Sequence, residues 1–542
     1  MRTRLLTLLA VQTLVLKMAN MRKFFNILIV SLLVTVQAVS AQEVVPSETL
    51  TKIREKNECT VYSFNYPSVN IKGEQIVLSS ALVAWTPSDR QETDSIESVH
   101  ILNHITIASD HERPTTTDGI SDDQNLAVFM PGRNYGSEYT TEYANYAAHC
   151  IIIMPDYEGY GVTKDRPHPY LSQRLTAQQV LDGVMYGMEL YKKVVAEKSN
   201  EYELLPIKSD WRSFCMGYSQ GGAVSLATHR LIEEQGLADD LHFQGSICGD
   251  GPYDLVTTIR YYMEDDGTSY DVETDHRKGT TTYPAVAPLI VKGMFETHPA
   301  MAPYKIGDFM SQQLLDTGVC DWIDSKEYTT ANINNMWYNQ LKNGLDTLGR
   351  HYTPEQMAEM FSAPLGSAVI GHLGKMFTQE VFDYMSDASN LDIVPENPAN
   401  APQALHRALY DNSLTTGWEP QHRIQFFHSK YDMVVPYGNY LAFRDAHPQG
   451  EGTMYRVDDT FSTSDHVMAG GAFMIYLLVS KSCPDVFNWI CEGSSPTGIN
   501  EVSGQRLAVI DDAWYTINGV KLNGKPTAKG VYINNGRKIV VK

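Results

Sequence analysis

Short apolar runs alternate with longer stretches of helical period along much of this chain. Cys59 to Tyr66 (CTVYSFNY) and Gln75 to Trp85 (QIVLSSALVAW) predict two early strands. Ser98 to Asn103 (SVHILN) predicts a third, and Cys150 to Met154 (CIIIM), almost wholly apolar, a fourth. Trp211 to Met216, Phe243 to Cys248, Ile424 to Phe427 and Thr453 to Val457 bring the set to eight. Helical candidates fall around 171–195, 221–235, 438–446 and 467–480. Apolar strands separated by helices imply an α/β fold, a mainly parallel sheet covered on both faces. The first two strands have no helix between them and should form an antiparallel edge.

Two stretches break this rhythm. Residues 255–420 carry scattered helical segments, many aromatics and methionines, and no clear strand pair. They read as an insertion between the sixth and seventh strands, placed like a cap. Near the C-terminus, Val531 to Val541 (VYINNGRKIVV) sets an Asn-Gly turn between two β-rich arms, and NGVKLNG offers two more such turns. Residues 493–542 therefore read as a small β module, following a main domain over 42–492.

Composition narrows the class. Of 542 residues, 43% are hydrophobic and 20% charged, as in a globular protein. A formal net charge of −21 argues against nucleic acid or an anionic membrane surface as the main partner. From Met21 the chain reads MRKFFNILIVSLLVTVQAVSAQ, with basic residues, a short apolar core and then Val39-Ser40-Ala41. That order is a secretory signal ending at Ala41, and its core is too short for a membrane span. A second basic-then-apolar stretch precedes it, so the true start is either Met1 or Met21. Export permits disulfides, and Cys483 with Cys491 is the best-spaced pair among the seven cysteines, while Cys215 and Cys248 sit in strand-like runs. No C-x-x-C or H-E-x-x-H spacing occurs, so no metal site is expected. Asp110-His111-Glu112 reads as part of a polar loop.

Residues 217–222 read GYSQGG, a G-x-S-x-G pattern centred on Ser219. In a chain with 38 glycines the pattern alone is weak, but its setting is specific. A predicted strand ends at Met216 and a predicted helix begins at Gly221, the context of a nucleophile elbow. A serine hydroxyl needs a base, and the base needs an orienting acid. In such a fold the acid follows the seventh strand and the histidine the eighth. IQFFHSKYDMVVP places Asp432 after the seventh, and FSTSDHVMAGGAF places His466 after the eighth. Asp250, after the sixth strand, is the rival acid, and His428 the second-choice histidine. The oxyanion of a tetrahedral intermediate needs two backbone N–H donors. Gln220 and Thr106 are the candidates.

These residues resemble the α/β-hydrolase superfamily, and within it the bacterial relatives of secretory lipases. GYSQGG matches the elbow, and PDYEGYG followed by HPYLS is similar to the segment after the fourth strand. GDGPYDL resembles the lead into the cap, and DMVVP and DHVMAGGAF the acid and histidine segments. The resemblance spans roughly residues 58–480 and implies an α/β-hydrolase fold cleaving carboxylic esters through an acyl-enzyme on Ser219. It implies no cofactor and a small-molecule or lipid ester as substrate. Many relatives carry His-Gly in the oxyanion loop, whereas here Ile105 follows His104. The C-terminal NGKPTAKGVYINNGRKIVVK resembles the short β tails of Bacteroidetes exported proteins, which fits a secreted, periplasmic or cell-surface location. A serine peptidase of the same superfamily and a non-catalytic binding protein on the same fold are the alternative functions. An apolar substrate would suit the aromatics and methionines of the insertion, although most of them read as its own core.

Overall fold

Alternation within the strands decides where the layers go. The computed structural model describes residues 44–56, 58–117, 148–197, 204–263, 278–334, 361–365, 368–460, 466–482, 484–493, 514–516, 521–522, 524–527, 530–534 and 537–541. The proposed signal lies outside them. In β2 (Cys59–Val69), Tyr62, Phe64 and Tyr66 point to one side while Cys59 and Val61 enter a separate core on the other. β3 (Gln75–Trp85) repeats this, with Leu78, Leu82 and Ala84 opposite Ala81 and Val83.

The first core is closed by α1 (Gln173–Ala196), which buries Val180, Val184, Met188 and Tyr191, and by Val224 and Ile232 of α2 (Gln220–Glu234). The second is closed by Ala469, Phe473 and Leu477 of α4 (His466–Ser482) and Ile490 of α5 (Asp485–Gly493). α3 (Gly438–Ala446) packs Tyr440 and Phe443 beside Ala223 and Leu231 of α2. Each large apolar side chain buried in this way contributes on the order of 1.5–3 kcal/mol.

The sheet has nine strands, one more than the sequence predicts. Its order is β1-β2-β3-β5-β4-β6-β7-β8-β9, the added members being β1 (Thr51–Lys56), β4 (Ile96–Asn103), β5 (Cys150–Pro155), β6 (Ile207–Tyr218), β7 (Phe243–Gly249), β8 (Arg423–Phe427) and β9 (Tyr455–Asp458). The extra strand is β1, whose sequence TKIREK has almost no apolar alternation. It is an edge strand, held by its ladder to β2, and a charged sequence suits an edge open to water. β1, β2 and β3 are antiparallel to one another, and β3 is antiparallel to β5; from β5 to β9 every pair is parallel. This is the α/β-hydrolase fold.

Between β7 and β8 the chain forms helices, among them Leu255–Met263, Val286–Thr297 and Ala401–Asp411, around their own apolar cluster. It also forms a three-stranded antiparallel sheet from Thr280–Thr281, Ala368–His372 and Phe361–Leu365, where no strand pair was expected. Met263, Met294, Met301, Met310, Met376 and Phe377 all lie in this cluster, so they are chiefly core. Trp337 and Met360 fall outside the described residues. The C-terminal strands Trp514–Thr516, Lys521–Leu522, Gly530–Asn534 and Arg537–Val541 form a four-stranded antiparallel sheet. Its last hairpin pairs Asn534 with Arg537. Cys215 and Cys248 are buried free thiols, and Cys491 is also free; Cys483 lies outside the described residues.

Candidate active site

The parallel strands β6 and β7 end side by side, and the site is built at that edge. β6 runs directly into α2, with Ser219 the only residue between them. Its backbone sits at φ 57 and ψ −124, a strained conformation for a residue with a side chain. Two things hold it there. The Ser219 N–H donates to the Gly249 carbonyl at the end of β7, at 2.9 Å. A Cβ on Gly217 would lie 2.5 Å from the Gly221 carbonyl oxygen, so only glycine lets strand and helix approach this closely. The Ser219 side chain makes no capping bond to α2, which leaves its hydroxyl for another partner.

That partner is His466. Its Nε2 lies 2.8 Å from Ser219 Oγ, and its Nδ1 lies 2.5 Å from Asp432 Oδ2. The tautomer that satisfies both contacts carries the proton on Nδ1, donates it to the carboxylate and leaves Nε2 to accept from the serine. His466 opens α4, and Tyr218 braces it by donating its hydroxyl to the His466 carbonyl at 2.8 Å. Asp432 is fully buried, and its Oδ1 accepts the N–H groups of Val434 at 2.7 Å and Val435 at 2.9 Å. Burial works against its charge, but the His466 imidazole and these donors outweigh it and hold the carboxyl below its ordinary range.

Asp250, the rival acid, reaches the same place. It is fully buried beside Asp432 and accepts the Ser429 N–H at 2.8 Å. Burial, and then the charge of Asp432, push its carboxyl well above the usual range. His428 is buried next to both acids, and its Nε2 is 3.0 Å from the Val435 carbonyl, to which it donates. Desolvation lowers its pKa to about 4, so it is a neutral neighbour of the acids, not a base for Ser219.

Gln220 heads α2, where the first N–H groups have no intrahelical acceptor. Its side chain turns away to His168, Nε2 to Nε2 at 3.0 Å, and His168 Nδ1–H donates to the Glu158 carbonyl at 2.7 Å. Thr106 lines the same cavity as Ser219, its Oγ1 lying 2.8 Å from the Tyr170 hydroxyl. His104 is buried beneath this loop with its ring stacked on Tyr157 at 3.9 Å. Burial lowers its pKa to about 4. Tyr170 and His168, which pin the two candidate donors, were not singled out in the sequence; they fall in the HPYLS segment but carry no spacing signal of their own.

Over Ser219 and His466 opens an apolar cavity with about 1250 Å³ of empty space, its mouth included. Ile105 and Thr106 of the main domain face Leu255, Val286, Ile290 and Leu405 of the insertion across it. The Asp110-His111-Glu112 triplet lies elsewhere, as a 3₁₀ turn capped by Ser109, with Glu112 accepting the Ala108 and Ser109 N–H groups. Among the described residues, His229, Glu233 and His422 are the one group spaced to hold a metal. Glu233 Oε1 accepts from His229 Nε2 and His422 Nδ1, each at 2.9 Å, and from the Gln421 and His422 N–H groups, while its Oε2 is buried with no hydrogen bond.

No protein-family model matches the chain, and no curated protein matches it by sequence. Solved structures match its fold. A rice cell wall degrading esterase, LipA from Xanthomonas oryzae, superposes with a TM-score of 0.55 at 17% identity, covering 81% of this chain and 98% of its own. A hydrolase structure from Legionella pneumophila gives 0.52 at 16% identity, covering 80% of this chain and 90% of its own.

Proposed function

We propose that this chain is an exported serine hydrolase of the lipase and esterase type, cleaving carboxylic esters through an acyl-enzyme on Ser219. One observation carries the reading: His466 joins Ser219 Oγ at 2.8 Å to Asp432 Oδ2 at 2.5 Å, at the floor of an apolar cavity. In this reading His466 Nε2 takes the Ser219 proton as Oγ attacks the ester carbonyl, and Asp432 stabilises the imidazolium that results. The oxyanion is received by the N–H groups of Gln220 and Thr106. His466 then protonates the departing alcohol, and water repeats the sequence to free the acid.

The apolar lining supports an ester with a hydrocarbon acyl group, and the esterase among the fold neighbours supports ester over amide. Export rests on the Met21–Gln42 pattern. No helix among the described residues is long and apolar enough to cross a membrane.

The test is labelling of residues 42–542 by a fluorophosphonate probe, with Ser219→Ala alongside, followed by p-nitrophenyl esters and aminoacyl amides. Loss of labelling in the variant and turnover of esters are expected. Equal labelling of both proteins would assign the activated serine elsewhere, and preferential turnover of amides would make the enzyme a peptidase.

A further inference from the structure

Two carboxyl groups lie buried together behind His466, and the reaction proposed above uses only one. Asp250 and Asp432 are each fully buried. Their hydrogen bonds divide unequally. Asp432 receives Val434 N–H, Val435 N–H and His466 Nδ1–H, so both of its oxygens are matched by donors. Asp250 receives the Ser429 N–H on Oδ1. The Tyr218 hydroxyl lies beside it but directs its one proton to the His466 carbonyl at 2.8 Å, and Asp250 Oδ2 is left buried without a donor.

The groups facing Asp250 are Asp432, Tyr218, Tyr253, His428 and, beyond Asp432, His466. None of them gives it a cation. His428 Nε2 is 3.7 Å from Asp250 Oδ1, too far for a good hydrogen bond, and donates instead to Val435. The imidazole of His466 is committed to Asp432. Two adjacent buried carboxylates cannot both stay ionised, and the one with fewer donors keeps the proton. A proton on Asp250 Oδ2 gives that orphaned oxygen a donor role, and Asp432 is the acceptor beside it. The backbone has been bent to hold it, since Asp250 sits at φ 35, in the left-handed region, although it carries a side chain.

We infer that Asp250 is a positioning residue, a buried carboxylic acid that donates a hydrogen bond to Asp432 and so fixes the carboxylate that orients His466. This inference rests on the serine-hydrolase reading above. Asp250 never touches the substrate. It acts by holding Asp432 in place and by spreading that group's charge over a second carboxyl.

The measurement is the pH profile of kcat/KM, with kcat and KM, for Asp250→Asn and Asp250→Ala in residues 42–542. The asparagine amide keeps both bonds, donating to Asp432 and accepting from Ser429. It is expected to hold kcat within about three-fold and leave the acid limb of the profile unmoved. The alanine variant removes the donor and is expected to lose roughly 10–100-fold in kcat at near-constant KM. Asp250 ionised at working pH would add a second negative charge near His466, and its removal in Asp250→Asn would move the acid limb to lower pH by a unit or so. That shift overturns the inference, as does a folded Asp250→Ala with wild-type kcat. If Asp250→Ala does not fold, the Asp250→Asn profile alone decides. Ser219→Ala labelling run in parallel separates the two claims. Persistent labelling there removes the triad reading itself, whereas lost labelling with a shifted Asp250→Asn profile removes only the role of Asp250.

Discussion

Gly221, in the first turn of α2, lies directly against the backbone of Asn103 at the end of β4, so that a Cβ on it would sit 2.1 Å from the Asn103 carbonyl oxygen. The helix carrying the nucleophile elbow is therefore pressed onto the neighbouring strand, and no side chain motion can relieve an added methyl against backbone. Gly221→Ala is expected to cost several kcal/mol and to abolish probe labelling even where protein remains soluble. Gly471, in α4, has nothing within 4 Å of its Cβ direction. Gly471→Ala is expected to stabilise the protein by about 0.5–1 kcal/mol through helix propensity alone. Thermal melts of the two variants check this pair, and equal behaviour would show that the close approach at Gly221 does not govern the elbow.

The Thr106–Tyr170 hydroxyl contact of 2.8 Å ties the loop after β4 to the segment before α1. If Thr106 supplies an oxyanion donor through its backbone, its side chain matters only by holding the loop. Tyr170→Phe and Thr106→Val should each lower kcat about three- to thirty-fold with KM little changed, since each removes one hydrogen bond worth about 1 kcal/mol or somewhat more. The double variant should be no worse than the more damaging single one. Additive losses in that cycle would mean the two side chains act separately.

Much of this architecture was legible because parallel strands are buried on both faces. CIIIM, FQGSIC and IQFF have little choice but to be central strands. Ser219 follows from the end of WRSFCM, Asp432 from the end of IQFF and His466 from the loop after TMYRV. β1 was missed because an edge strand needs backbone ladder bonds and not an apolar pattern. The small sheet of the insertion escaped for a similar reason: its strands pair only over short stretches within a mainly helical segment. Asp250 was seen only as a competitor of Asp432, because sequence spacing cannot tell two acids that compete from two that touch. Tyr170 and His168 stood in the sequence only as part of the HPYLS resemblance, without a role of their own, since one hydrogen bond to a loop requires no periodicity.

The cavity above Ser219 has one wall made by a single helix face. Val286 and Ala287 lie four and three residues before Ile290 on Val286–Thr297, and the three line it together. Ile290→Trp is expected to fill part of this space while leaving the side chains of Ser219, His466 and Asp432 as they are. Each methylene displaced from an apolar site loses about 0.8 kcal/mol, near four-fold in kcat/KM. A p-nitrophenyl ester series should therefore show kcat/KM for long acyl chains falling about ten-fold or more in the variant, with acetate within about two-fold. An unchanged series would place the acyl chain along another wall of the cavity.

Far from the site, at the other end of α2, Glu233 is held by His229, His422 and two backbone N–H groups. Burial opposes its charge, but these donors prevail and lower its pKa from 4.5 to about 2. A carboxyl depressed in the folded state stabilises the fold fully above its unfolded pKa, and that contribution is lost as pH falls through the folded one. The window here runs from about pH 4.5 down to about pH 2, and the contribution at stake is on the order of 2–3 kcal/mol. Glu233→Gln should lower the thermal midpoint at pH 7 while flattening its fall between pH 5 and pH 3. Melting curves across that range decide it: parallel slopes for the two proteins would mean that other carboxylates carry the acid sensitivity.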